Sequence, residues 1–213
     1  MFDPESAALS VAADLLDIGA VTLSPNEPFT WSSGLKSPIY CDNRITISYP
    51  TVRDLIALGF ADFIREHYPK AEIVAGIATG GIPHAAFAAQ KLNLPMIYVR
   101  DKAKGHGKEN VIEGVIQTGQ NVVMIEDLIS TGGSSLKAAL AVRDAGANVL
   151  GVISIFSYQF EKAGKSFADA GIPFHSLTNY ETLLRVALET GTISDEEAEI
   201  LREWRKDPES YAF

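Results

Sequence analysis

Apolar and polar positions change period several times along the chain. Residues 3–18 place Val11, Leu15 and Ile18 on one helical face, with Asp3 positioned to cap, Pro4 at the first helical position and Gly19 just past the end. A helix is predicted there, and another over residues 51–67. Between them the stretch "FTWSSGLKSPIYCDNR", residues 29–44, is aromatic and turn-rich with no sustained period. From residue 72 onward, short apolar runs alternate with amphipathic ones. Strands are predicted over 72–78, 95–99, 121–126, 148–156 and 174–177, and helices over 81–92 and 133–146. Such alternation implies βαβ units around a parallel sheet. A last helix opens with the capping box of Ser194 and Glu197 and carries Trp204; its acidic run "SDEEAEILRE" reads as a solvated face.

At 213 residues the chain has the length of one large domain, and no repeat or long linker divides it. The net charge of −9 leaves no basic surplus for nucleic acid or an anionic membrane surface. Cys41 is the single cysteine, so no internal disulfide can form and a reducing compartment fits. The opening "MFDPESAALS" does not read as a signal peptide. No apolar run approaches the roughly 18 residues that span a membrane. A cytoplasmic protein is the expectation.

Two stretches need a chemical reason. In "VVMIEDLISTGGSS", residues 122–135, a buried strand runs into Glu126 and Asp127 and then into small hydroxyls and glycines. Ligands of an open parallel sheet bind beyond the carboxyl ends of its strands. A tight turn into a helix start near Gly133 would aim backbone N–H groups and the positive helix end at one point, as a phosphate requires. Ser130, Thr131, Ser134 and Ser135 add hydroxyls. The two acids would repel phosphate, so they face something else, such as sugar hydroxyls or a hydrated Mg2+. Neither a Walker loop nor a dinucleotide fingerprint is present. A phosphorylated sugar satisfies both halves. The second stretch, "RDKAKGHGKEN" (residues 100–110), gathers Arg100, Lys102, Lys104, His106 and Lys108 around two glycines in an otherwise acidic chain, and is predicted to be a mobile loop.

The first of these stretches resembles the phosphoribosyl-pyrophosphate (PRPP) motif of the type I phosphoribosyltransferases. Within that family, "FTWSSGLKSPIYCDNR", "GIATGGIP" and "YVRDKAKGHGKENVIEG" are similar to the base-side segment, the pyrophosphate loop and the catalytic loop of the members that use orotate. The resemblance implies an α/β fold: a central, mainly parallel sheet flanked by helices, with a small N-terminal hood over residues 1–50 and a flexible loop over 100–112, all in one domain, 1–213. It implies transfer of a phosphoribosyl group from PRPP to orotate, giving orotidine 5′-monophosphate for pyrimidine synthesis. A purine or other base phosphoribosyltransferase, or a PRPP-sensing regulator that binds nucleic acid, are the alternatives.

Carried over by position, Glu126 and Asp127 meet the ribose hydroxyls. Ser130, Thr131, Gly132, Gly133 and Ser134 cradle the 5′-phosphate, Leu128 and Ile129 belong with them to the PRPP site, and Thr79 and Gly80 meet the pyrophosphate. Arg100, Lys104 and His106 close over the pyrophosphate, with Asp127 the fourth catalytic residue. Ser130, Lys36 and Arg44 are expected beside orotate. The Mg2+ cofactor would be held mainly by PRPP and water, with Glu126 or Asp127 as candidate ligands. A homodimer is implied, each loop completing its neighbour's site. The chain departs from the enteric pattern at Ser32, at Thr79 and Gly80, at Asp101 and at Ser157, the last standing where an orotate-binding arginine is expected. His67, His84 and His175 show no ligand spacing and read as structural or exposed. Cys41 reads as packed near the orotate pocket, and Trp31 and Trp204 as core or interface residues.

Overall fold

The computed structural model describes residues 3–31, 34–101 and 111–213. The hood comes first. Helix α1 (Pro4–Asp17) is capped by the Asp3 carboxylate, which accepts from the Glu5 N–H. The short strands β1 (Val21–Leu23), β2 (Phe29–Thr30), β3 (Lys36–Ser37) and β4 (Ile39–Cys41) then form two antiparallel pairs, β1 with β4 and β2 with β3. A 3-10 segment, Asn43–Ser48, leads into α2 (Pro50–His67).

The main sheet is built from β5 (Ile73–Ile77), β6 (Met96–Val99), β7 (Ile112–Glu113), β8 (Asn121–Ile129), β9 (Asn148–Ser157) and β10 (Phe174–Asn179). Their order is β10-β9-β8-β5-β6-β7, parallel throughout except for β7 against β6. Helix α3 (Gly81–Leu92) connects β5 to β6, α4 (Gly133–Asp144) connects β8 to β9, and α5 (Glu161–Asp169) connects β9 to β10. Two helices, α6 (Tyr180–Glu189) and α7 (Asp195–Lys206), end the chain. Among the described residues no helix is long and apolar enough to cross a membrane.

The strands are buried on both faces, and side-chain alternation sorts them into two cores. Val74, Val123, Ile125, Ile153 and Ile155 face α1, α2, α3, α6 and α7. Ile73, Ala75, Ile77, Val122, Met124 and Val152 face α4 and α5. The predicted α/β class and mainly parallel sheet stand. One boundary differs in a way that matters. The strand expected to stop at Glu126 continues to Ile129, because β9 keeps pairing with it as far as Ile129↔Ser157, whereas β5 pairs only as far as Gly76↔Ile125. The two acids therefore lie within a strand, just past the end of one of its neighbours. Helices α5 and α6 were not expected, and β10 runs directly into α6 with only Asn179 as cap.

In α7 the capping box of Ser194 and Glu197 forms as predicted, and Ala198, Leu201 and Trp204 point inward. Trp204 is fully buried, lies edge-on to Trp31 at 5.8 Å, and donates its indole N–H to the Lys36 carbonyl at 3.0 Å. It ties the last helix to the hood. Trp204→Ala is expected to cost about 3–5 kcal/mol, as large-to-small core substitutions do, measured by denaturant unfolding. A loss below about 1 kcal/mol would mean the hood is anchored elsewhere.

Candidate active site

Glu126 is 6% exposed. One carboxylate oxygen accepts from the Ser135 hydroxyl at 3.0 Å, the other from the Asp127 N–H at 3.1 Å. Burial first, and the adjacent Asp127 second, push its pKa well above the ordinary carboxylate range. Asp127 is half-buried. Its carbonyl, past the last rung shared with β5, accepts from the buried Asn43 amide at 2.7 Å. Its carboxylate lies against Gly80, where a Cβ would stand 2.2 Å from Oδ2. Only a residue without a side chain permits that approach.

Gly80 caps α3, directly after a cis peptide between Ala78 and Thr79. Across the site, α4 begins after Gly132, whose φ of 76° is the left-handed conformation that turns the chain from β8 into the helix. The first-turn N–H groups of α4 have no intrahelical acceptors and face the region of Ser130, Thr131 and Ser134, a helix-end site suited to an anion. Ile129 differs from its neighbours in that region: its side chain is fully buried and its carbonyl accepts from the Tyr158 N–H at 3.0 Å.

Two clefts flank these groups. One, of about 480 Å3, is walled by Thr30, Trp31, Tyr40, Leu128, Ser130 and Tyr158, with Cys41 beside them. Trp31 and Tyr158 meet edge to face there at 5.5 Å, an aromatic wall that suits the face of a flat ring. Lys36 does not line it but donates from Nζ to the hydroxyl of Thr30, which does, at 2.8 Å. Arg44 is clamped by Asp42 through two hydrogen bonds of 2.7 and 2.8 Å, and lies near enough to Asp127 and Tyr40 for their charges to raise its pKa further. Asp42 is lowered in turn, chiefly by those bonds. Ser157 does not face this cleft; it is 2% exposed and accepts from the Gln159 N–H. The second cleft, of about 400 Å3, is bordered by Thr79, Arg100, Ser134 and Lys137. A larger depression of about 720 Å3 lies between α1, α2 and α6, bordered by the ion-paired Glu5 and Arg185, and holds none of the expected site residues.

The base of the loop is defined. Tyr98 and Val99 pair with Glu113 and Ile112, the Arg100 N–H bonds the Val111 carbonyl, and the Arg100 guanidinium pairs with Glu113 at 3.2 Å. Lys104 and His106, together with Ser32, lie outside the described residues. Asn43, Tyr158 and Lys137 were not singled out from the sequence, and Ser135 was expected to offer its hydroxyl to a phosphate and instead donates it to Glu126. Asn43 sits inside a quoted motif, but nothing in its spacing announces the bonds it makes. His84, read as structural or exposed, is 1% exposed, and burial lowers its pKa to about 4, so the ring is neutral near pH 7.

A family model described as "Phosphoribosyl transferase domain" matches residues 52–172, from α2 through the end of α5. Sheet order, paired acids and helix-end cradle thus belong to a phosphoribosyltransferase. The orotate phosphoribosyltransferase of Bacillus subtilis is 58% identical over 200 residues, 94% of this chain and 93% of its own. That of Enterococcus faecalis is 58% identical over 204 residues, 96% and 97% of the two chains. Among solved structures, the orotate phosphoribosyltransferase of Aeropyrum pernix superposes with a TM-score of 0.75 at 29% identity, covering 86% of this chain and 99% of that one. The chain belongs to the orotate phosphoribosyltransferase family.

Proposed function

We propose that this protein transfers the 5-phosphoribosyl group of PRPP to orotate, giving orotidine 5′-monophosphate and pyrophosphate, in the cytoplasm and as a step of pyrimidine synthesis. The observation that carries the reading is the meeting of three features at the end of β8. A pair of carboxylates can take the ribose hydroxyls, a helix N-terminus can take the 5′-phosphate, and an aromatic-walled cleft beside Ser130 can take the base.

In this reading Glu126 and Asp127 bind the two ribose hydroxyls, and residues 130–134 cradle the 5′-phosphate through backbone N–H groups and hydroxyls, with Leu128 and Ile129 leading the strand into the PRPP site. Thr79 and Gly80 line the pyrophosphate side. Orotate lies in the cleft walled by Trp31, Tyr40 and Tyr158, with Ser130 at its edge and Lys36 and Arg44 supplying the cations for its carboxylate. With Ser157 turned away from the cleft, these two carry that duty. Orotate N1 bonds to ribose C1 as the bond from C1 to the pyrophosphate oxygen breaks. Positive charge on the ribose ring is greatest as the bonds exchange, which the nearby Asp127 carboxylate favours. Arg100 with Lys104 and His106 offsets the charge gathering on pyrophosphate, and removing one such donor typically costs about 100–1000-fold in rate. Closure of loop 100–112 excludes water from the activated sugar, and in a homodimer that loop would complete the neighbouring site. The hood and the sheet act as one unit over residues 1–213.

Among the described residues no three His, Cys, Asp or Glu side chains gather as a metal cage. The paired oxygens of Glu126 and Asp127 fit a Mg2+ whose other ligands are PRPP and water, since that ion keeps several waters and uses one or two carboxylates with substrate phosphates. When bound, the ion neutralises pyrophosphate charge.

The test is orotate consumption followed by ultraviolet absorbance, with PRPP, with and without Mg2+. Rapid consumption that needs both is expected. Turnover with a purine and none with orotate would overturn the substrate; PRPP binding with no accepted base would favour a regulator.

A further inference from the structure

We propose that His84 is a positioning residue for Asp127, acting through Thr46 and Asn43. The inference rests on the reading of Asp127 as a ribose-binding carboxylate. The Thr46 hydroxyl donates to the Asn43 carbonyl at 2.6 Å, which uses its one proton. His84 Nε2, 3.4 Å from the same oxygen, must then be the donor between them, which fixes the Nε2–H tautomer. Nδ1 is left as a bare acceptor, buried and without a partner among the described residues. As a packing residue alone, an imidazole here is a poor choice, because an apolar side chain would leave no acceptor unmatched. What the ring adds is the donor to Thr46.

Thr46 in turn holds the 3-10 segment that carries Asn43. Asn43 is 1% exposed, and both ends of its amide are engaged: Oδ1 accepts from Cys41 Sγ at 3.3 Å and Nδ2 donates to the Asp127 carbonyl at 2.7 Å. That carbonyl lies where β5 has stopped pairing with β8, so Asn43 replaces the missing rung and sets the Asp127 backbone. The line from α3 through the hood to β8 is continuous, and every link is buried or half-buried.

The test uses full-length His84→Leu, His84→Gln and Thr46→Val, with PRPP affinity by calorimetry, steady-state kinetics and thermal melting. His84→Leu is expected to weaken PRPP binding about tenfold, the size of effect that supporting-shell partners typically show, and to leave the KM for orotate within about twofold. His84→Gln, whose amide can donate to Thr46, recovers most of the loss. Thr46→Val reproduces it, and the double variant is no worse than either single, as for residues acting in one line. Thr46→Val carries the test alone if His84→Leu does not fold. Unchanged PRPP affinity with a lowered melting temperature, or equal losses in the Gln and Leu variants, would overturn the proposal. A wild-type protein that binds PRPP but ignores orotate would sink the functional reading while the affinities still decide this one; no PRPP binding at all would sink both.

Discussion

Gly80→Ala is expected to fold normally and to lose about 100-fold or more of its turnover with PRPP. The backbone at Gly80 (φ −67°, ψ −32°) is one that alanine adopts readily, so the substitution carries no conformational penalty. The penalty is steric and local. A Cβ would stand 2.2 Å from Asp127 Oδ2 and 2.3 Å from Cγ, so the carboxylate has to leave its place. It cannot take the strand with it, because Asn43 holds the Asp127 carbonyl at 2.7 Å and β9 holds the rungs at Glu126 and Leu128. The side chain therefore rotates away from the site. Misplacement of a reacting or binding group by about 1 Å is enough to cost about 100-fold. Kinetics beside a thermal melt check this: an unchanged melt with collapsed turnover is the expected pair. Activity within about twofold of wild type would mean that the position of the Asp127 carboxylate is not what the reaction depends on.

Glu126→Gln is expected to cost about 100-fold in turnover and, at the same time, to stabilise the free protein increasingly as pH rises. The first effect follows because a glutamine cannot give up a proton when the sugar and its metal ion arrive, and so can never offer the diol two acceptor oxygens. The second follows from linkage. Burial and Asp127 raise the folded-state pKa of Glu126 above its unfolded value of about 4.3. Below that unfolded value both states are protonated and the contribution to stability is fully present. As pH climbs toward the raised folded pKa the unfolded chain sheds its proton first, and stability is lost. Glutamine does not titrate, so the variant escapes the loss. Its Oε1 can keep the Asp127 N–H, and its amide can meet Ser135, whose hydroxyl rotates to accept. Each kcal/mol appears as about 2–4 °C in the melting temperature of a chain this size. Melts of both proteins should coincide near pH 4 and separate toward pH 8, with the variant higher. A constant difference across that range would remove Glu126 as the source of the slope. Such a trade of stability for function is usual at sites that bury charge.

Much of the frame was legible before any coordinates, and for a common reason. Helix α3 spans the residues the pattern marked, 81–92, and the box of Ser194 and Glu197 opens α7 as read. Periods and caps depend on residues within about a turn of each other, so the chain states them locally. The cluster from Glu126 to Ser134 was visible in the same way, since strand, acids, turn and helix start are contiguous. What stayed hidden depends on partners far along the chain. The strand carrying the acids runs three residues further than its apolar run suggests because β9 extends beside it. Asn43 supplies a donor to a carbonyl 84 positions away, and Trp204 reaches Lys36 across 168. A glycine at position 80 can be read directly, but not that the carboxylate of Asp127 fills the space its missing side chain leaves. Local order always leaves some polar groups unpaired, and which distant residue satisfies each of them is decided only when the layers pack.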